Sequence, residues 1–317
     1  MLISTNETAQ WLKERDNFLI ITHRRPDGDT LGCAGALAQG LRESGKTAHV
    51  LFNPEATPRY LRFVESYWAP DSFDPEHVIV VDTASYDLFP KNAEPYIGKI
   101  SLGIDHHPSN TLYAKLTCLS ESDASCGETI YSIFMAMTGS VSVRTAECLY
   151  AALSTDTGCF VFGNTTADTL RIASLLIEAG APHRELNRLL FRTRSYGRIK
   201  IEGFIYSGIE FHFGGTVAFS TITRKMMESA NADEDDVDNI ASIPGSIEGV
   251  LAGITIRELT SEHDCKVSVR TSPAVNAHAI CEHFGGGGHP MAAGFSLEKT
   301  VGEIKKALLA VLGDFLP

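Results

Sequence analysis

Short apolar runs alternate with helix-period segments through the first half of the chain. FLIIT (Phe18 to Thr22), TAHVLF (Thr47 to Phe52) and HVIVVDT (His77 to Thr83) have the length and β-branched content of buried strands. Between the first two lies an amphipathic stretch from Thr30 to Glu43. KISLGIDHH (Lys99 to His107) reads as another strand running into a polar loop, and Gly127 to Met137 and Thr145 to Leu153 carry helical periodicity. This βαβ rhythm predicts a parallel sheet. A helical pattern from Thr165 to Gly180 ends at a glycine, and Ala181-Pro182 opens a helix carrying Arg184, Arg188 and Arg192 at i, i+4 and i+8. The pattern then changes to two strands around Phe211 to Thr223, an acidic helix start at Asp233 to Asp238, and strands near Val250 to Arg257 and Cys265 to Arg270. The expectation is an α/β chain. It has an N-terminal parallel-sheet domain over residues 1–190, an interdomain linker helix over 191–208 and a smaller C-terminal α+β domain over 209–317.

Composition narrows the function classes. The 317 residues are 44% hydrophobic and 21% charged, an ordinary globular balance that can fill two cores. A formal net charge of -12 argues against gripping long duplex nucleic acid, which requires cations to displace phosphate counterions. Short, highly charged substrates stay open where basic residues are concentrated locally. The seven cysteines form no CxxC pair and read as reduced, mostly buried thiols. The first residues, MLISTNETAQWLKERD, lack the basic-then-apolar order of a signal peptide, and no long uncharged apolar run follows. A cytoplasmic chain with no membrane association is expected.

Candidate chemistry sits where the apolar runs end. Thr22-His23-Arg24-Arg25-Pro26-Asp27-Gly28-Asp29 follows the first strand, and Pro26 and Gly28 shape a turn that can point His23, Asp27 and Asp29 inward. Asp82 ends the HVIVV run, Asp105-His106-His107 ends another, and Asp156 lies in Ser154-Thr155-Asp156-Thr157-Gly158 after a helix. Each alone has a commoner explanation as a turn or a helix cap. Together, clusters at the ends of strands in one parallel sheet project into one crevice. Five carboxylates there repel one another at neutral pH, and bound cations are the natural remedy. An oxygen-rich site with one or two imidazoles suits Mn2+, with Mg2+, Co2+ and Fe2+ as alternatives.

The ordered set of HxxxDxD at His23/Asp27/Asp29, the strand-end Asp82, Asp105-His106-His107 and Asp156-Thr157-Gly158 resembles the DHH phosphoesterase family. Phe284-Gly285-Gly286-Gly287-Gly288-His289 with Ala292-Ala293-Gly294-Phe295 resembles the substrate-binding motif of the DHH-associated second domain, so the match spans nearly the whole chain. The resemblance implies two divalent ions. His23, Asp27 and Asp82 would hold one, and Asp29, Asp82, His106 and Asp156 the other, with Asp82 as the bridge. It also implies that His107 faces the substrate phosphate and that Asp105 orients the histidines from behind. Cys159 follows the Asp-Thr-Gly where the family often carries a larger polar or basic residue, so no substrate contact is assigned there.

The implied chemistry is attack on phosphorus by a water that the two ions activate, with no covalent intermediate. Gly285, Gly286, Gly287 and Gly288 let backbone amides approach a phosphate, with Arg270 and His289 supplying further donors. The length and C-terminal motif are most like family members that hydrolyse short oligoribonucleotides and remove the 3′-phosphate of pAp. RecJ exonucleases share the motifs with added domains. The competing readings are a linear or cyclic dinucleotide phosphodiesterase, an inorganic pyrophosphatase, and a nucleotide-binding sensor without turnover. The Arg184, Arg188 and Arg192 stripe reads as a solvated face, a homodimer contact or a track for a short RNA backbone.

Overall fold

The computed structural model describes residues 1–237 and 239–317; Asp238, the last residue of the expected acidic helix start, lies outside the described residues. The chain divides into two compact units, Met1–Thr193 and Arg194–Pro317.

The first unit is built on a five-stranded sheet of β1 (Phe18–Ile21), β2 (Ala48–Val50), β3 (His77–Val81), β4 (Ile100–Asp105) and β5 (Leu116–Leu119), in the order β2-β1-β3-β4-β5. Every pairing is parallel, as the alternating pattern predicts. Helices α1 (Thr5–Lys13), α2 (Gly28–Glu43), a single turn α3 (Pro58–Leu61), α4 (Cys126–Thr138), α5 (Val143–Asp156), α6 (Ala167–Glu178) and α7 (His183–Asn187) complete it. The chain winds one way from β1 to β2 and the other way from β3 onward. The crevice where winding reverses therefore opens beyond the carboxyl ends of β1 and β3, the ends that lead into His23 and Asp82.

Helix α2 departs from the expected amphipathic form. Its first eleven residues, Gly28 to Ala38, are all buried, because it is sandwiched rather than laid on a surface. A methyl group on Gly28 would lie 2.4 Å from the Thr155 side chain, and one on Gly32 would lie 2.6 Å from the Cys148 carbonyl. These glycines let α5 approach α2 backbone to backbone. The close approach brings Asp156, on the last turn of α5 rather than after it, beside Asp29 on the first turn of α2.

The arginine stripe also differs from expectation. Helix α7 stops at Asn187, and Arg188–Arg192 continue as a π turn. Its i to i+5 bonding breaks the i, i+4 register, so Arg184, Arg188 and Arg192 share no continuous helical face. All three are exposed.

The second unit carries α8 (Tyr196–Ser207), α9 (Arg224–Ala230), α10 (Ala277–Glu282) and α11 (Val301–Val311). Its sheet comprises β6 (Glu210–His212), β7 (Val217–Ile222), β8 (Ala252–Glu258), β9 (Cys265–Thr271), β10 (Gly287–His289) and β11 (Ala292–Leu297), in the order β10-β11-β9-β8-β7-β6. Among the described residues of this sheet, only β7 and β8 pair in parallel. The acidic segment forms a 3-10 turn, Asp235–Val237, instead of a helix start. All seven cysteines are free thiols, and six of them are buried. Among the described residues no helix is long and apolar enough to cross a membrane.

Candidate metal centre

The loop after β1 and the end of β3 bring together His23, Asp27 and Asp82, whose ligand atoms lie within 4.8 Å of one another. His23 Nδ1 is 2.8 Å from the Arg24 carbonyl, which can only accept, so Nδ1 carries a proton and Nε2 turns to the carboxylates. Nε2 stands 3.7 Å from both Asp27 and Asp82. Asp27 also caps α2, accepting from the amides of Asp29 at 3.0 Å and Thr30 at 3.2 Å, so the ordinary role and the candidate role coexist in one side chain. Burial pushes the His23 imidazole towards lower pKa, but the Asp27 and Asp82 carboxylates outweigh it and raise the value to about 11.

Asp29, His106 and Asp156 form a second group within the same 4.8 Å limit. Asp29 is held by the amino end of α4: its oxygens accept from the amides of Cys126 at 2.8 Å and Gly127 at 3.2 Å, and from Cys33 Sγ at 3.2 Å. His106 Nδ1 faces the Asp123 carbonyl at 3.1 Å, which fixes the tautomer with a lone pair on Nε2. That Nε2 lies 3.5 Å from Asp82, 3.8 Å from Asp29 and 3.8 Å from Asp156. Burial first, then the neighbouring carboxylates, hold Asp29 well above the ordinary range. Burial raises Asp156 to about 6, against the pull of His106 and with help from Asp82 and Asp27.

Asp82 is common to the His23 group and to a third, with His106 and His107. Its backbone is left-handed, φ 51°, a conformation that non-glycine residues rarely adopt, and its amide donates to the Ile104 carbonyl at 2.9 Å. Its Oδ1 and the Nε2 of His106 are both buried, and neither has a hydrogen-bond partner. Two facing lone-pair atoms left without a donor are costly, and a divalent cation is the group that would satisfy both. The donor set fits such an ion: carboxylate oxygens and imidazoles, with the Cys33 thiol turned to Asp29 as a donor.

Behind these groups lies Asp105, 1% exposed, which accepts from the amides of His106 at 2.8 Å and His107 at 3.3 Å and from Asn110 Nδ2 at 2.5 Å. It also meets His107 Nδ1 at 2.8 Å. Burial pushes the Asp105 carboxyl up, but the bonds from His107 and Asn110 more than offset this and hold it below the usual range. The Asp105 bond raises His107 to about 9 against partial burial, leaving a protonated, half-exposed imidazole at neutral pH. Asn110 escaped sequence reasoning, because an asparagine in a Pro-Ser-Asn turn has an ordinary turn explanation.

In the second unit, register places His289, Ala292 and Arg270 in one row across β10, β11 and β9, with Gly253 next in line on β8. Side chains paired across strands share a face, so Arg270 and His289 flank the small Ala292. The glycine run is not a flexible turn. A methyl on Gly286 would meet the Gly294 carbonyl at 2.4 Å, and one on Gly288 would meet Ala293 Cα at 2.6 Å. Gly285 supplies a left-handed turn after α10 with φ 76°. Gly287 alone of the four has an ordinary conformation and open space, its nearest neighbour being the His278 ring at 3.9 Å.

Residues 17–153 match the DHH family, N-terminal domain, and residues 214–316 match the DHHA1 domain. The chain is 33% identical over 283 residues to a Thermus thermophilus protein, the bifunctional oligoribonuclease and PAP phosphatase NrnA, covering 88% of this chain and 83% of the relative. The chain belongs to the DHH family of metal-dependent phosphoesterases. Among solved structures, an exopolyphosphatase-related protein from Bacteroides fragilis superposes with a TM-score of 0.84 at 22% identity, covering 97% of this DHH chain and 96% of the other. An exonuclease RecJ bound to manganese superposes with a TM-score of 0.52 at 14% identity, covering 100% of this chain and 96% of that one. Both likenesses show the DHH fold, with its parallel-sheet unit followed by a mixed-sheet unit.

Proposed function

We propose that this DHH phosphoesterase hydrolyses short oligoribonucleotides and removes the 3′-phosphate of pAp, using two divalent cations of which Mn2+ is the first choice and Mg2+ or Co2+ the alternatives. The observation that carries the reading is Asp82, a buried carboxylate with an unpartnered oxygen lying between two groups of ligand atoms. His23, Asp27 and Asp82 would hold one cation; Asp29, Asp82, His106 and Asp156 would hold the other. The substrate class is supported by the printed activity of the Thermus thermophilus relative.

Cations bound there supply Lewis acidity, which lowers the pKa of water and screens charge on a phosphoryl group. The chain's own residues do the rest. Protonated His107 presents its Nε2 side to a phosphoryl oxygen while Asp105 holds Nδ1, and Asn110 in turn holds Asp105. The same imidazole can release a proton to the departing ribose oxygen. In the second unit, Arg270 and His289 would donate to a phosphate, and the Gly287 backbone offers a close approach, with Gly285 supplying the left-handed turn before it and Gly286 and Gly288 packed against β11.

The test is turnover by the full chain in Mn2+ across ribonucleotides from two to about twenty units, with pAp, pApA and pyrophosphate alongside, since the size of the site limits what enters. Fastest cleavage of the shortest ribonucleotides together with release of phosphate from pAp is the expected result. Preference for pyrophosphate, or for pApA with pAp inert, would replace this reading by one of the competing ones. Binding of pAp without turnover would make the chain a sensor.

A further inference from the structure

Asn164 follows Asp156 by eight residues and returns to it. Its Nδ2 donates to the carbonyl of Ala124 at 3.0 Å and to the carbonyl of Asp156 at 3.2 Å. Both partners can only accept, so the amide nitrogen must face them. The two carbonyls belong to segments that carry different members of one ligand group. Asp156 is itself a member. Ala124 sits in the turn entering α4, where the Asp123 carbonyl accepts from His106 Nδ1 at 3.1 Å and, just beyond, the amides of Cys126 and Gly127 donate to Asp29 at 2.8 Å and 3.2 Å. One side-chain amide therefore ties together the supports of Asp29, His106 and Asp156.

The backbone between Asp156 and Asn164 is folded at a cost. Gly158, Cys159 and Phe160 are left-handed in succession, with φ of 56°, 59° and 65°, and two of the three carry side chains. The reversal is pinned by the Cys159 amide on the Ser154 carbonyl at 2.6 Å and by the amides of Val161 and Phe162 on the Thr157 carbonyl at 3.0 Å each. The loop hides only part of its apolar surface: Phe160 packs on the core beside Tyr150, while Val161 is 80% exposed and Phe162 58%. The same strained path returns Asn164 to Asp156. The other ligand group is held separately: Asn53 Nδ2 donates to the His23 carbonyl at 2.9 Å, the His23 ring leans on the Arg24 carbonyl, and Asp27 accepts from the amides of α2.

We propose that Asn164 is a positioning residue for the cation held by Asp29, His106 and Asp156, and for that cation alone. This rests on the reading that the two groups are separate cation sites. The substitutions are Asn164→Asp, which keeps the size and removes both donors, and Asn164→Ala. Asn164 is exposed, so neither change opens a cavity.

The experiment is calorimetric titration of the metal-stripped full chain with Mn2+, with thermal melting of the same metal-free samples. Wild type is expected to show two binding events. In both variants one event weakens by roughly 10–100-fold, the loss typical of groups that orient a ligand, while the other event and the metal-free melting temperature stay as in wild type. Two unchanged events in the variants would overturn the proposal, and so would equal weakening of both with a lowered melting temperature, which would mark a general structural role. A single event in wild type would overturn the two-site reading itself, and that failure is visible in the arm without any substitution.

Discussion

The two halves of the proposed metal centre are assembled in opposite ways. The His23 and Asp27 half comes from a single loop, and the Asp27 side chain is 57% exposed and shared with a helix cap. The Asp29, His106 and Asp156 half draws on α2, the end of β4 and α5; His106 is fixed by a carbonyl of the turn before α4 and Asp29 by amides of the first residues of α4. Local construction gives ligands that a few torsions can move. Long-range construction gives ligands that move only with the fold. The second half should therefore be the pre-organised one, filled first and released last, and the first half the one whose occupancy follows cation concentration.

The largest effect belongs to the residue both halves share. Asp82→Asn should lower kcat by about three orders of magnitude or more, equivalent to ~4 kcal/mol of barrier, in assays at saturating Mn2+. The same change should raise the melting temperature of the metal-free protein by roughly 2–4 °C, because burial first, and repulsion from Asp27 after it, outweigh the attraction of His23 for this charge, a net cost of about 1 kcal/mol. Retained turnover would dissolve the comparison, since the halves would then share nothing.

A smaller effect separates the halves. Asp27→Asn leaves a good helix cap, so melting in chelator should not change, whereas Asp27→Ala should lose about 1 kcal/mol from the cap. With either substitution, calorimetry should show the weaker Mn2+ event fading while the tighter one persists. Loss of the tighter event first would reverse the assignment.

The smallest effect is a pH dependence. Asp156 has its pKa raised from the ordinary carboxylate value to about 6 in the folded chain, so the folded state binds more protons than the unfolded one between those values. Its contribution to metal-free stability is thus full below the unfolded pKa and is lost as pH rises through about 6. The stabilisation by saturating Mn2+, read as a melting shift, should be larger at about pH 7.5 than at about pH 5, and Asp156→Asn should flatten the difference.

The sequence could be read where chemistry and periodicity coincide. HVIVV followed by Asp82, and KISLGI followed by Asp105-His106-His107, mark strand ends by a change from apolar to charged, and both lie where the parallel sheet opens. What escaped depends on tertiary contacts that have no local signal. Gly28 looks like a turn residue and Gly32 like an ordinary helix weakener until α5 is laid against them, and Asn110 and Asn164 look like turn residues until their partners are known. The π turn at Arg188–Arg192 defeated a reading that assumed regular helical spacing.

The left-handed backbone at Asp82 carries one further consequence, for how this protein can change over time. Asparagine and glycine are the replacements that tolerate such a backbone best, and both abolish the charge. Glutamate keeps the charge but has neither the short side chain nor the conformational ease. Position 82 is therefore constrained twice over, by conformation and by charge, and no single step offers a gradual exchange of one working ligand for another. A lineage that loses this aspartate keeps a stable fold and loses the reaction in the same step, which is how a nucleotide-binding protein without turnover would arise from an enzyme of this kind.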